Sequence, residues 1–247
     1  MQYLGGQTGR NYTFAATVEN YGGSTGSYGI GFLSDSSALS SRRLQISGSS
    51  EGRAALEIGI TLNGEAVRII VTHLDPLSAS TRASELKAIS AWLDSAGDAR
   101  IPAVIMADFN AKSTESSMDV LTGEGFVFVK DDAGNVLDTA QKINHILYRP
   151  EFRWSVLRTG NPAYSASNRY PLWATLQLLP SSTARRSPAE SAESASRAEA
   201  LKYRSAWRPK SPLLYMEQTG KSWHLPFHRK NYPQENILSS SRNPSTE

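Results

Sequence analysis

The stretch PAVIMADFN, Pro102 to Asn110, decides how the rest of the chain is read. An unbroken apolar run that ends in an acid, an aromatic and an amide is the pattern of a strand buried on both faces, with its C-terminal end opening onto polar surroundings. Upstream, RAALEIGITLNGEAVRIIVTHLD, Arg53 to Asp75, alternates on both sides of Asn63-Gly64. That dipeptide tolerates positive φ, so the segment predicts a hairpin. Between the two, Leu86, Ile89, Ala91, Trp92 and Leu93 give Ser80 to Ser95 a broad apolar face, and Ser or Thr precedes the first turn. A helix is expected there.

Further out, YTFAAT (Tyr12 to Thr17) and YGIGFLS (Tyr28 to Ser34) have strand length and composition, although Met1 to about Gly26 shows no sustained period. Ser113 to Leu121 is a short helix candidate, and KINHILYR, RWSVLRTG and PLWATLQL read as three further strands ending at Leu178. Hairpin strands interleaved with helices predict an α/β (α+β) layered domain, and no internal repeat is visible.

Two regions are expected, a folded domain over 1–180 and a low-complexity basic tail over 181–247 that is mostly disordered. The junction, SSTARRSPAESAESASRAEA at 181–200, holds 6 Ser and 6 Ala and no Leu, Ile, Val or aromatic residue, which is too little apolar surface to offset the entropy of ordering. Residues 181–247 carry 11 Lys and Arg against 6 Asp and Glu, leaving 15 against 17 for residues 1–180. The net +3 of the whole chain therefore belongs to the tail, and gives no ground for a folded part that attracts nucleic acid by its overall field.

The chain has no cysteine, which excludes disulfides and thiolate chemistry. No run of about 18 apolar residues is present, so no transmembrane helix is expected, and Met1 to Asn20 lacks the basic-then-apolar pattern of a secretory signal. A soluble protein is the default expectation. The compartment is not set by the sequence.

Polar residues gather at the ends of the apolar strands in four places: His73 and Asp75 in THLD, Asp108 and Asn110 in ADFN, Asn144 and His145 in INHI, and Asn168 and Arg169 in SNRYP. Taken singly, each fits packing or loop chemistry as well as it fits a site. His145 follows Asn144 on a strand and so points to the opposite face, where packing is its expected role. Tyr170 and Trp173 read as core or loop-anchoring aromatics.

The order of the four segments, framed by YGIGFLS, EGRAALEI and PLWATLQL, resembles the endonuclease/exonuclease/phosphatase superfamily over roughly Tyr28 to Leu178. The resemblance implies a two-sheet sandwich flanked by helices, and metal-dependent hydrolysis of phosphoester bonds at a divalent-metal site, with Mg2+ as cofactor, where strand ends meet. By the same resemblance His73 contacts the phosphate or assists the leaving group. Asp108 orients or deprotonates the attacking water and is the metal position, and Asn110 donates to a phosphate oxygen.

Three positions depart from the family's pattern. Asn144 stands where an Asp orients the catalytic His, Asn168 where an Asp sits beside the metal, and Arg169 where that His belongs. An amide keeps the shape of a carboxylate but not the charge that holds Mg2+, and a guanidinium clamps an anion without accepting a proton. The family's opening strands, one with a metal-site Asn and one with a metal-ligating Glu, have no counterpart before Tyr28, so the chain reads as N-terminally incomplete relative to that family. Weak Mg2+ binding, impaired hydrolysis and marginal stability or self-association are expected. The alternative is a catalytically silent domain, a pseudoenzyme or truncated gene product, that holds a phosphate-bearing ligand with His73, Asn110, Arg169 and Arg53.

In the tail, KYRSAWRPK (Lys202 to Lys210) and WHLPFHRK (Trp223 to Lys230) alternate aromatics with bases, a pattern suited to an anionic lipid or nucleic-acid partner, although a solvated tail is the simpler expectation. His224 and His228 have the spacing of a helical metal pair, but Pro226 between them argues against a helix.

Overall fold

A computed structural model describes residues 1–20, 23, 25–95, 101–137, 143–162, 171–181, 217–219 and 222–224. Its centre is a six-stranded sheet in the order β3-β4-β5-β6-β8-β7, formed by β3 (Ser40–Ser47), β4 (Gly52–Leu62), β5 (Glu65–His73), β6 (Ala103–Asp108), β7 (Val127–Phe128) and β8 (Asn144–Arg149). The β4–β5 hairpin turns on Asn63 and Gly64, both at positive φ (54° and 80°), as the sequence predicts. The β5–β6 pair is parallel, and the chain returns from one to the other through α2 (Ala79–Ser95).

Alternation along the central strands sends side chains to two cores. On one face Ile70, Ala103, Ile105 and Leu147 pack against Leu86, Ile89 and Leu93 of α2 and Leu121 of the short α3 (Asp119–Gly123), which follows a single 3-10 turn at Ser116–Met118. On the other face Ile58, Ile69, Val71, Val104, Met106 and Ile146 meet a second strand layer. That layer comes in two pieces. One is the antiparallel pair of β1 (Asn11–Val18) and β2 (Tyr28–Ser34), contributing Ala15 and Phe32. The other contains β9 (Trp154–Gly160) and β10 (Trp173–Leu178), contributing Trp154, Ala174 and Leu176. The expected two-sheet α/β sandwich with helices on its outer face is the observed architecture.

Several elements were not apparent from sequence. A seven-residue helix, α1 (Gln2–Thr8), contains two glycines, which oppose helix formation, and edge strand β3 is mostly exposed and so lacks an apolar signature. Two three-residue strands in the tail, β11 (Glu217–Thr219) and β12 (Ser222–His224), pair with each other, and β12 pairs with β10. Within the region expected as a tail, β11 and β12 form a hairpin along the hydrogen-bonding edge of β10. KYRSAWRPK, the Ser/Ala-rich junction after Ser181, and His228 lie outside the described residues. Among the described residues no helix is long and apolar enough to cross a membrane.

The C-terminal end of α2 is held by charge. Arg68 donates to the Leu93 carbonyl at 2.8 Å and Arg42 to that of Trp92 at 3.1 Å, while Glu57 accepts from both arginines at 2.7 and 2.8 Å. Burial alone would raise the Glu57 carboxyl, and the two guanidinium groups more than reverse this, holding it below its ordinary value. Leu86 on the inner face of α2 is fully buried. Leu86→Ala is expected to cost about 2–5 kcal/mol of stability in urea unfolding, because the rigid sheet beneath cannot close the cavity.

Candidate functional site

The register of the central sheet assembles the site. In the parallel β5–β6 pair His73 stands opposite Asp108, and in the antiparallel β6–β8 pair Asp108 stands opposite Asn144. Three of the sequence-predicted residues therefore lie abreast on neighbouring strands, about 4.8 Å apart in the hydrogen-bonding direction. Asn110 joins them from the loop after β6, at a φ of 50° that Asn tolerates better than most residues. Its backbone N–H donates to Asp108 Oδ1 at 3.1 Å, and its side-chain Nδ2 donates to the Leu74 carbonyl at 2.8 Å.

The His73 ring sits between fixed donors. Arg53 Nη1 is 3.5 Å from Nδ1, and Asn110 Nδ2 is 3.2 Å from Nε2. A guanidinium and an amide NH2 both lack an acceptor, so each ring nitrogen faces a donor. Nε2 lies 3.7 Å from Asp108 Oδ2, and the ring is partly exposed. His73 is thus held with Nε2 toward the Asp108 side of the cleft. Arg53, expected among the phosphate donors, is only 2% exposed and is ion-paired to Glu51 at 2.9 Å. It orients His73 from behind, a correction to the expected ligand contact.

A buried polar cluster fixes the loop after His73. Asp75 is fully buried and accepts from the backbone N–H groups of Ser49 (2.7 Å), Leu77 (2.8 Å) and Ser78 (2.9 Å), and from the Ser49 hydroxyl. Its own N–H donates to Glu85 at 2.9 Å. Arg82 donates to the Asp75 carbonyl and is paired with Glu115 at 2.8 Å. Sequence reasoning passed over Arg82 and Glu85. The signal was present, since both fall on the same helical face as Leu86, Ile89 and Leu93, where a charged residue implies a buried partner.

Asn144 is half-buried, and its Oδ1 has no hydrogen-bond partner among the described residues, so an acceptor is left over beside Asp108. His145 points to the other face, 1% exposed, with Nε2 3.0 Å from the Ala111 carbonyl and its ring against Phe109 and Phe128. It is a packed residue and belongs to the core. Asn168, Arg169 and Tyr170 lie outside the described residues. The chain is described again from Pro171, which with Leu172 lines a cavity of about 350 Å³ shared with Asp108 and Asn144. Among the described residues no three His, Cys, Asp or Glu side chains cluster as a metal cage.

Solved structures share this arrangement of layers. The chain is similar to an endonuclease/exonuclease/phosphatase from Bacteroides vulgatus, with 20% identity, a TM-score of 0.57, and coverage of 72% of this chain and 80% of that one. The chain has the endonuclease/exonuclease/phosphatase fold. It is also similar to the human Nocturnin catalytic domain with bound sulfate anion, at 18% identity, TM-score 0.51 and coverage of 72% and 68%. A third likeness is to a humanized D. rerio TDP2, at 15% identity, TM-score 0.52 and coverage of 71% and 78%. No family model matches the sequence, and no curated protein matches it. At these identities the likeness establishes the endonuclease/exonuclease/phosphatase fold and leaves the chemistry to the residues.

Burial by itself raises the Asp75 carboxyl, but the hydrogen bonds from Ser49, Ser78 and Leu77 outweigh it and hold it well below the ordinary carboxylate range. A carboxyl depressed in the folded state stabilises the fold above its unfolded pKa, about 3.9. That stability is expected to be lost as pH falls below this value. Asp75→Asn is expected to cost about 1–3 kcal/mol at neutral pH and to flatten the acid limb of the stability–pH curve, read by denaturant titration at a series of pH values.

Proposed function

We propose that the chain binds a phosphate ester at the row His73, Asp108, Asn110 and Asn144 and hydrolyses it slowly, as an impaired metal-dependent phosphoesterase. The observation that carries this reading is the register placing His73, Asp108 and Asn144 abreast on β5, β6 and β8, with the Asn110 amide turned into the same cleft. A phosphoryl group needs donors for its equatorial oxygens and a group that orients water for in-line attack. The Asn110 amide is a donor, His73 turns Nε2 to the same side, and Asp108 is an acceptor for the hydrogens of a water. The sulfate anion bound to the Nocturnin catalytic domain, which shares the fold, is a tetrahedral oxyanion of the same class, and supports the choice of ligand.

A hard divalent cation such as Mg2+ fits the oxygen donors at one end of the row, where the Asp108 carboxylate and the open Asn144 Oδ1 would hold it. When bound, it supplies neutralisation of phosphoryl charge. Only one of these two donors is anionic, so affinity is expected to be low without help from substrate phosphate. Arg169 is assigned the clamp on the phosphate. It cannot accept a proton near neutral pH, and Asn168 cannot supply the carboxylate charge beside the metal, which together account for slow turnover.

The second reading is a silent phosphate-binding domain, favoured by the amides at 144 and 168 and the guanidinium at 169, which keep donors while deleting acid–base groups. The substrate class within phosphate esters, and any anionic partner of the basic tail, are separate questions from this reading.

Hydrolysis of a generic aryl phosphodiester with Mg2+ separates the two readings. Measurable turnover that disappears in Asp108→Ala is expected. The combined change Asn144→Asp, Asn168→Asp and Arg169→His is expected to raise turnover about 10²–10⁴-fold by restoring general acid–base groups. Turnover at the blank rate in both proteins, with phosphate binding that Arg169→Ala abolishes, would leave the silent reading standing. No binding of phosphate by either protein would remove both.

A further inference from the structure

The two pieces of the second layer leave a slot between them. Among the described residues β2 pairs only with β1, and Ile30 and Gly31 on β2 line one wall of the 350 Å³ cavity. The opposite wall is Pro171 and Leu172, leading into β10, and the floor is Val71, Met106 and Ile146 from the central sheet. This is an apolar opening into the interior of the sandwich, and no neighbouring strand layer in the described residues closes it. An exposed slot of this kind costs stability and invites association.

The described strand β12 is directed toward it. Leu176 pairs with Trp223 and Gln177 with Ser222, so β12 runs antiparallel to β10 and its C-terminal end points toward Leu172. Were the same antiparallel register extended, Leu225 would stand opposite Ala174 and Phe227 opposite Leu172. Leu172 and Ala174 both face the core, and directly opposed residues of an antiparallel pair share a face. In sequence, Trp223, Leu225 and Phe227 alternate with His224, Pro226 and His228, the two-residue period of a strand with one apolar face. Pro226 removes one N–H from such an arm, which weakens the ladder without changing the face that Leu225 and Phe227 present. The arm before β11 is also apolar, Leu213-Leu214-Tyr215-Met216. Of the tail's 13 Leu, Ile, Met, Phe, Trp and Tyr residues, 7 fall between 213 and 227, so the apolar content of the tail is concentrated around this hairpin.

We propose that the slot between β2 and β10 is the docking site of the chain's own segment 225–228, continuing β12, with Leu225 against Ala174 and Phe227 seated against Leu172. The tail is then a working part of the sandwich, and His228 is carried to the Pro171 end of the cavity, where Asp108 and Asn144 lie. This assignment does not depend on the proposed chemistry.

The absence of native cysteine allows a clean test in the full chain. The pair Ala174→Cys with Leu225→Cys is expected to close an intramolecular disulfide under mild oxidation, because opposed strand positions bring Cβ atoms to about 4.5–5.5 Å. The control pair Ala174→Cys with Asn236→Cys is expected to stay reduced. In a second measurement Phe227→Asp is expected to lower Tm by about 2–4 °C, with Ile237→Asp leaving it unchanged. Equal oxidation of the two Cys pairs, or equal Tm for the two Asp variants, would overturn the proposal. A disulfide that forms only between chains would also overturn it, giving the slot to a second copy.

Discussion

Everything at the site depends on the hydrogen-bonded pairing of three strands, β5 parallel to β6 and β6 antiparallel to β8. Strand spacing is set by the backbone, so once the register is fixed, His73, Asp108 and Asn144 have no freedom to drift apart. The register is itself fixed by burial. A one-residue slip of β6 would turn Val104 and Met106 away from the strand layer and Ala103 and Ile105 away from the helices, exchanging two well-filled cores for two mismatched ones. Core packing on both faces of the sheet therefore determines the relative positions of polar groups at its edge.

The second requirement is orientation, and it comes from buried charge. Asp75 gathers three backbone donors and a hydroxyl, Glu85 and Arg82 hold the Asp75 backbone, and Arg53 faces Nδ1 of His73. Helix α2 thus acts at both ends. Its first turns secure the loop after β5, and its last turn is bound by Arg68 and Arg42 through Glu57. Removing Glu57 alone would leave two guanidinium groups facing each other at the edge of a core, so the three residues are energetically one unit.

Much of this was readable in the sequence because burial writes a period. The continuous run Ala103 to Ala107, the alternation about Asn63-Gly64 and the apolar face from Leu86 to Leu93 each match an element to within about two residues. What was not readable lacked that imprint. Helix α1 carries glycines and β3 is an exposed edge, so neither has an apolar face that composition can reveal. At the site, the placement of His73, Asp108, Asn110 and Asn144 followed from strand ends. Arg53, by contrast, was taken as a ligand contact, because a sequence cannot tell an arginine pointing into a cleft from one wedged behind its neighbour. The tail hairpin was hidden for a different reason: its strands are three residues long and stabilised by β10, a partner about 46 residues away along the chain.

The left-handed backbone of Asn110 ties two properties to one residue. Its conformation suits Asn, Asp or Gly, while its amide supplies the contact with the Leu74 carbonyl and the His73 ring. Replacement by alanine would therefore mix backbone strain with the loss of a donor, and the resulting defect would have no single cause. Glycine separates the two, keeping the turn while erasing the amide. The chemistry of this corner is thus dissected without added charge through a residue that has no side chain at all.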